Sequence, residues 1–358
     1  MKKIAGWNLA LLFSGLLIIE LTFGSWLSGG GLGAVHVPRD LVLQHDAKGI
    51  RSGGGVVRYS RDRWGLRGSH KNPSEINILT IGGSTTDEFY SDDAETWSAR
   101  LQQKFVQAGF PAIIGNAGVN GHSSVGHILS LESWLSRIPN LKPKFILFYL
   151  GINDVALPAR AEQDAIVAIG SWARIRRYII NNSIFIRLTR LIRGSFRAKQ
   201  LRIAYENAPP KLVWQGNSPE IDGALYRKVV STYGDRVRRL FELTTRMDAL
   251  PVFISQRRGD AFFRNGVLFA SSSDAAKNHQ IQKLYNQEML RTCQAVKAIC
   301  IDLANQINLS EADFFDRIHT TPDGSDKIAA FLFEKLQRIV RKQLLHGQAN
   351  TDSGTAKR

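Results

Sequence analysis

The chain has 358 residues, 44% hydrophobic and 22% charged, the balance of an ordinary globular protein. That length allows one large domain or two modest ones, with a core that requires no metal or disulfide staple. Its 47 Lys and Arg against 31 Asp and Glu give a formal charge of +16, suited to anionic lipid, acidic polysaccharide or nucleic acid. No zinc-finger spacing or RNA-binding aromatic signature accompanies the charge, which puts nucleic acid last.

Met1-Lys2-Lys3 precedes an uncharged, mostly apolar run from Ile4 to Ile19, and hydrophobicity continues to Leu27 with Glu20 as its only charge. The stretch exceeds the roughly 20 residues that span a bilayer. Two lysines before it and no base until Arg39 after it place the N-terminus in the cytoplasm. We expect an uncleaved signal anchor over residues 1–28, a single pass through the inner membrane, and a periplasmic or otherwise extracytoplasmic remainder. A cleaved signal peptide is the alternative, although Leu32-Gly33-Ala34 is a poor cleavage site.

Residues 29–74 carry the clusters Gly29-Gly30-Gly31 and Gly53-Gly54-Gly55 and read as a tether with little regular structure. Its end, Asp62-Arg63-Trp64-Gly65-Leu66-Arg67-Gly68, has the apolar residues to pack on the domain downstream. Within residues 75–346, strand-like runs at Ile76–Ile81, Ala112–Ile114, Lys144–Leu150, Pro251–Ser255 and Ala298–Leu303 alternate with helical patterns. Those patterns cover Trp97–Ala108, His127–Leu135, Tyr226–Asp248, Asn278–Val296 and Asp323–Leu345. Such alternation implies a parallel sheet covered on both faces.

A long insertion at 160–210 interleaves arginines with apolar residues such as Trp172, Ile175 and Phe185. It reads either as a basic amphipathic helix on an anionic membrane surface or as a helical lid with arginines in solvent. The polar tail 347–358 is expected to be disordered. Cys293 and Cys300 lack the spacing of a redox pair or zinc knuckle, and a disulfide or two buried thiols are both open.

Four motifs fall at the ends of predicted strands. Gly82-Gly83-Ser84-Thr85 comes after the first, where two glycines let the chain turn and lift Ser84 to the strand's carboxyl end. Asn116-Ala117-Gly118-Val119-Asn120-Gly121 comes after the second, Gly151-Ile152-Asn153-Asp154 after the third, and Asp316-Arg317-Ile318-His319 lies beyond the last. Ester hydrolysis by serine needs a hydroxyl, an imidazole to take its proton and a carboxylate to orient the imidazole. Ser84, His319 and Asp316 supply these. The oxyanion that forms needs donors, which the N–H groups of Ser84 and Gly121 and the amide of Asn153 can provide. His122 and His127 are rival bases, His122 expected to border the pocket and His127 to be structural. Asp87 and Asp154 read as helix-cap or loop-bracing groups.

The order Gly-Gly-Ser-Thr, Asn-x-Gly-x-x-Gly, Gly-x-Asn-Asp, Asp-x-x-His resembles the SGNH, or GDSL, hydrolase superfamily over about Glu75 to Leu345. Its name-giving residues map onto Ser84, Gly121, Asn153 and His319. The resemblance implies a flavodoxin-like three-layer α/β/α fold, no metal, no cofactor and an acyl-serine intermediate. It favours Gly121 over Gly118 because the family's glycine lies five residues after the asparagine that ends the strand. One departure is Gly83, where members named for Gly-Asp-Ser-Leu carry Asp. The anchor and the Trp64–Gly68 approach are similar to bacterial envelope members.

The expected function is hydrolysis of O-acyl, especially O-acetyl, esters of cell-envelope carbohydrate, with lipid esters next. The expected partners are that acylated substrate and an anionic membrane surface, with no nucleic acid. Transfer of the acetyl group to a polysaccharide hydroxyl is an alternative with the same triad. A non-catalytic envelope assembly or polysaccharide-binding protein is another.

Overall fold

The computed structural model describes residues 2–24, 26, 35, 37–47, 55–155, 179, 183–186, 189, 210–217 and 219–355, the last turns of the final helix by backbone only. The basic insertion lies almost wholly outside them. Helix α1, Lys2–Phe23, leaves Trp7, Leu11, Phe13, Ile18 and Phe23 exposed. Among the described residues, no helix is long and apolar enough to cross a membrane.

The region read as a tether contains regular structure. Strands β1 (Leu41–Asp46) and β2 (Val56–Arg61) form an antiparallel hairpin, with Leu41 opposite Arg61 and Asp46 opposite Val56. Along β2 the side chains alternate, Val57, Tyr59 and Arg61 inward and Val56 and Arg58 outward. Period-two burial of this kind marks a strand with one face on a core. The glycine clusters pull the reading towards coil, but most of them lie outside the described residues.

The central sheet uses β3 (Ile78–Gly82), β4 (Ile114–Asn116), β5 (Phe145–Tyr149), β7 (Leu250–Ile254) and β10 (Ile299–Ile301). All pairs are parallel, in the order β10-β7-β5-β3-β4. In chain order this is the flavodoxin-like arrangement, whose switch point lies between its first and third strands, here β3 and β5. Every residue of β3 and β5 is buried, as expected where helices cover both faces. β4 begins two residues later than its apolar run because the side chain and backbone of Asn77 already engage Ile113.

One face is covered by α3 (Trp97–Gln107) and the last helix, α8 (Pro322–Thr355). Trp97, Leu101 and Phe105 recur every four residues, as do Ile328, Leu332, Leu336 and Val340, and together they form one apolar cluster. The other face takes α4 (Ser124–Ser133), α5 (Gly223–Thr245) and α6 (Ser273–Ala295), packed through Leu131, Tyr233, Val237, Leu240, Tyr285 and Met289. Each such buried side chain contributes about 1.5–3 kcal/mol relative to exposure. The short helices α2 (Ser84–Asp87) and α7 (Leu303–Gln306) come directly after β3 and β10. α8 continues to Thr355, so the tail expected to be disordered is helical through most of its length. Extending a formed helix costs little once nucleation is over, and no proline stops it.

A second sheet lies outside the predicted alternation: β6 (Trp214–Gly216), β9 (Val267–Ala270) and β8 (Ala261–Arg264), antiparallel in that order. Asn265 and Gly266 join β8 to β9, both at positive φ (49° and 80°). That is the backbone an Asn-Gly two-residue hairpin adopts. Cys293 at the end of α6 and Cys300 in β10 are joined by a disulfide.

Candidate active site

Turns at the carboxyl ends of β3 and β5 build the site at the sheet's switch point. Gly82 cannot carry a side chain, because a Cβ there would lie 2.0 Å from Thr86 Oγ1 and 3.0 Å from the Tyr149 carbonyl oxygen. The chain therefore folds tightly out of the sheet, and Ser84 opens α2 with only 9% of its surface exposed. Its Oγ lies 2.8 Å from His319 Nε2. The other imidazole nitrogen, Nδ1, lies 2.6 Å from Asp316 Oδ2.

Asp316 is fixed before it meets the imidazole. Its Oδ1 accepts the backbone N–H groups of Ile318 and His319, each at 2.8 Å. Burial pushes its pKa up, but the bonds and charge from His319 and these two N–H groups outweigh that, leaving the carboxyl below its ordinary value. The Phe315 ring stacks on His319 with centroids 5.6 Å apart and planes 10° apart, which limits rotation of the imidazole. The small sheet supports the same loop: the N–H of Gly259 donates to Arg317 O at 2.9 Å, and Phe262 packs edge-on to Phe314.

Asn153 Nδ2 donates to the His122 carbonyl oxygen at 2.8 Å, which leaves its second hydrogen for another acceptor. The two candidate glycines differ. Gly118 is closed in, since a Cβ there would lie 2.3 Å from the Asp87 nitrogen. Gly121, at φ +77°, has open space where a Cβ would stand and adjoins Asn120 in the wall of the cleft. The structure thus joins Ser84, His319 and Asp316 in one hydrogen-bonded line and brings Asn153 against the Ser84 turn. It leaves Gly121 on the open side.

The cleft, about 390 Å³ with its open mouth, is lined by Ser84, Thr85, Glu88, Phe89, Tyr90, Ser91, Asn120, Phe315, His319 and Thr320. His122 does not border it, contrary to expectation. Its ring is buried against Gly126, 3.4 Å from Ser130 Oγ, and burial followed by repulsion from Arg61 lowers its pKa to about 4. His127 is buried with its pKa depressed further. Asp154 accepts the N–H and hydroxyl of Ser124 at the start of α4 and meets Arg236 at 3.4 Å, a loop brace.

Sequence reasoning missed the ionic packing under the Ser84 turn. Arg61, 3% exposed, pairs with Asp87 Oδ1 at 2.6 Å and also donates to Gly118 O. Arg67, 2% exposed, donates to the carbonyls of Asp87, Glu88 and Ser91 and to Asp93. Tyr59 donates to Asp87 Oδ1 at 3.0 Å, and its ring lies 4.7 Å from that of Phe89. Residues 59–67 therefore clamp the wall of the cleft. Glu88, fully buried at φ +48°, accepts Trp97 N–H and meets the hydroxyls of Ser325 and Thr320; burial raises its pKa to about 8.

A model of the GDSL-like lipase/acylhydrolase family matches residues 80–327. Similar solved structures include a variant of an acetyl xylan esterase from Geobacillus stearothermophilus, 12% identical, with a TM-score of 0.43 over 73% of this chain and 96% of that one. A GDSL-like lipase from Bacteroides thetaiotaomicron is 13% identical, with a TM-score of 0.39 over 77% and 92%. A lipolytic protein of the G-D-S-L family from Veillonella parvula is 13% identical, with a TM-score of 0.42 over 73% and 98%. No curated protein sequence matches the chain.

Proposed function

Because the chain belongs to the GDSL-like lipase/acylhydrolase family, we propose that its Ser84–His319–Asp316 line hydrolyses O-acyl esters through an acyl-serine intermediate. The observation that carries this reading is the continuous contact from Ser84 Oγ through His319 to Asp316, at 2.8 and 2.6 Å. In the proposed sequence, His319 Nε2 takes the Ser84 proton as Oγ bonds to the acyl carbon. Asp316 holds the tautomer that keeps Nε2 free and stabilises the imidazolium. The N–H groups of Ser84 and Gly121 and the amide of Asn153 hold the oxyanion. Collapse breaks the ester C–O bond, and the departing alcohol takes the proton from His319. Water, deprotonated by the same nitrogen, then attacks the acyl carbon; the acyl–Oγ bond breaks, Ser84 takes the proton back from His319 and the acid leaves.

The substrate we propose is a short O-acyl group, O-acetyl foremost, on cell-envelope carbohydrate. The half-buried rings of Phe89 and Tyr90, which line the cleft beside Ser84, support this, since aromatic side chains pack well against the apolar side of a sugar. We place the domain outside the cytoplasm, held at the inner membrane by α1. The basic pair Lys2-Lys3 in the first turn of α1, the exposed apolar side chains of that helix and the Cys293–Cys300 disulfide support that placement. The test uses the full chain in detergent, with a fluorophosphonate probe and p-nitrophenyl acetate. Labelling and turnover in the wild type that both vanish in Ser84→Ala are the expected result; a folded wild type that is not labelled would refute the proposal.

A further inference from the structure

The loops that end β3 and β5 share one buried side chain that the reaction scheme does not use. Gln256 stands two residues beyond β7 and is 1% exposed. Its Oε1 accepts the N–H of Ile152 at 2.9 Å, and its Nε2 donates to Thr85 Oγ1 at 2.8 Å. Ile152 immediately precedes Asn153, and Thr85 is the residue after Ser84. One planar amide thus spans from the serine turn to the asparagine turn.

Gln256 is held from behind as firmly as it holds. Asn286 on α6 donates Nδ2–H to Gln256 O at 2.8 Å and accepts Gln256 N–H at 3.3 Å, while Gln282 Nε2 donates to the same Asn286 oxygen at 3.1 Å. The backbone that leaves β7 is therefore pinned to α6 by a side-chain amide at the point where the sheet ladder ends. The chemistry selects the residue type. An amide presents both an acceptor for the Ile152 N–H and a donor for the Thr85 hydroxyl from one rigid end, whereas Leu offers neither and Lys no acceptor.

We propose that Gln256 is a positioning residue, a strut that sets the separation of Ser84 from Asn153 so that both donate to the same oxyanion. Displacement of reacting groups by about 1 Å costs on the order of 100-fold in rate. The strut should therefore govern kcat and the rate at which Ser84 is phosphonylated, while contacts with the ground-state ester stay as they are. The inference rests on the catalytic reading of Ser84, and the wild type tests that reading separately.

The experiment compares full-length wild type, Gln256→Leu, Gln256→Glu, Thr85→Val and Thr85→Ser by kcat and KM on p-nitrophenyl acetate, fluorophosphonate labelling rate and Tm. Gln256→Leu and Thr85→Val should lower kcat and labelling at least tenfold with KM within about twofold, and Thr85→Ser, which keeps the hydroxyl, should recover most of that loss. Gln256→Glu keeps the acceptor for the Ile152 N–H and lets the Thr85 hydroxyl turn to donate, so it should retain more activity than Gln256→Leu. The Thr85 pair decides even where Gln256→Leu does not fold. Equal losses in Thr85→Val and Thr85→Ser, or a lower Tm with unchanged kcat, would overturn the strut. A wild type that is neither labelled nor active would instead sink the hydrolase reading.

Discussion

A Cβ built on Gly83 would stand 2.4 Å from Asn153 Nδ2 and 3.1 Å from the His122 carbonyl oxygen. The Asn153 amide thus rests on the bare Cα of the residue before Ser84. This gives a physical reason for glycine where the name-giving motif of the family has aspartate. The first obstacle to a side chain is the movable end of Asn153, so the damage falls on its aim more than on the fold. Gly83→Ala should cost no more than about 1 kcal/mol in denaturant unfolding but lower kcat at least tenfold through one misplaced oxyanion donor. Equal damage to both would contradict this.

Removing any member of the proposed line should be far more severe. His319→Ala is expected to reduce kcat by about 10⁶-fold and Asp316→Asn by about 10⁴-fold, the losses seen when a triad loses its base or its orienting carboxylate. Circular dichroism and Tm should change little, because both side chains are only partly buried and Asn at 316 keeps an oxygen for the N–H groups of Ile318 and His319.

Glu88 predicts how stability depends on pH. The unfolded chain gives up this proton near 4.5, and the folded chain holds it to about 8. Between those values the folded state binds more protons, so stability falls as pH rises, by at most about tenfold in the folding constant per unit. Gln mimics the protonated acid, accepting from Trp97 N–H and donating towards the Ser325 hydroxyl. The stability of wild type relative to Glu88→Gln, followed by urea melts from pH 4 to 9, should decline across that window and level off above it. A difference independent of pH would show Glu88 to be ionised throughout.

Arg61 and Asp87 test the clamp under the serine turn. Arg61→Met leaves the Asp87 carboxylate, 4% exposed, without its cation, and such uncompensated burial costs about 3–5 kcal/mol. Replacing both partners, Arg61→Met with Asp87→Leu, should recover part of that loss. Chemical denaturation of the two variants checks the sign.

The disulfide closes a short loop, with seven positions separating Cys293 from Cys300. Constraint of the unfolded chain by a loop of that size is worth about 2–3 kcal/mol. Paired Cys293→Ser and Cys300→Ser substitution should lower Tm by several degrees, and a reductant should shift the wild type but not the variant.

The sheet and the line of motifs were legible in the sequence because β-branched and aromatic runs such as Phe145–Tyr149 admit few other readings when buried on both faces. The Ser84 turn could be read for the same reason, being a short polar signature at the end of such a run, whereas the Asp316–His319 loop, set apart from β10 by α7, was read from its spacing alone. The clamp was not legible. Arg61 and Arg67 look like solvent-facing bases in one dimension, and only β2's alternation, which turns Tyr59 and Arg61 to one side, hints at their burial. The β8–β9 hairpin does carry a signal, Asn265-Gly266 between two apolar runs, which a reading by strand and helix alternation leaves unused. Gln256 offered no signal, since its role depends on three loops meeting.

The hairpin of β1 and β2 also bears on how this enzyme can be inherited or rebuilt. Family likeness begins at residue 80, yet the counter-charges for Asp87 and Asp93 reside at Arg61 and Arg67, ahead of that boundary. A gene fusion or domain exchange cut at the family boundary would carry away the serine turn with its carboxylates stripped of their cations. A portable version of this enzyme needs the β1–β2 hairpin and Arg67 together with the matched segment, so that Asp87 and Asp93 keep their cations.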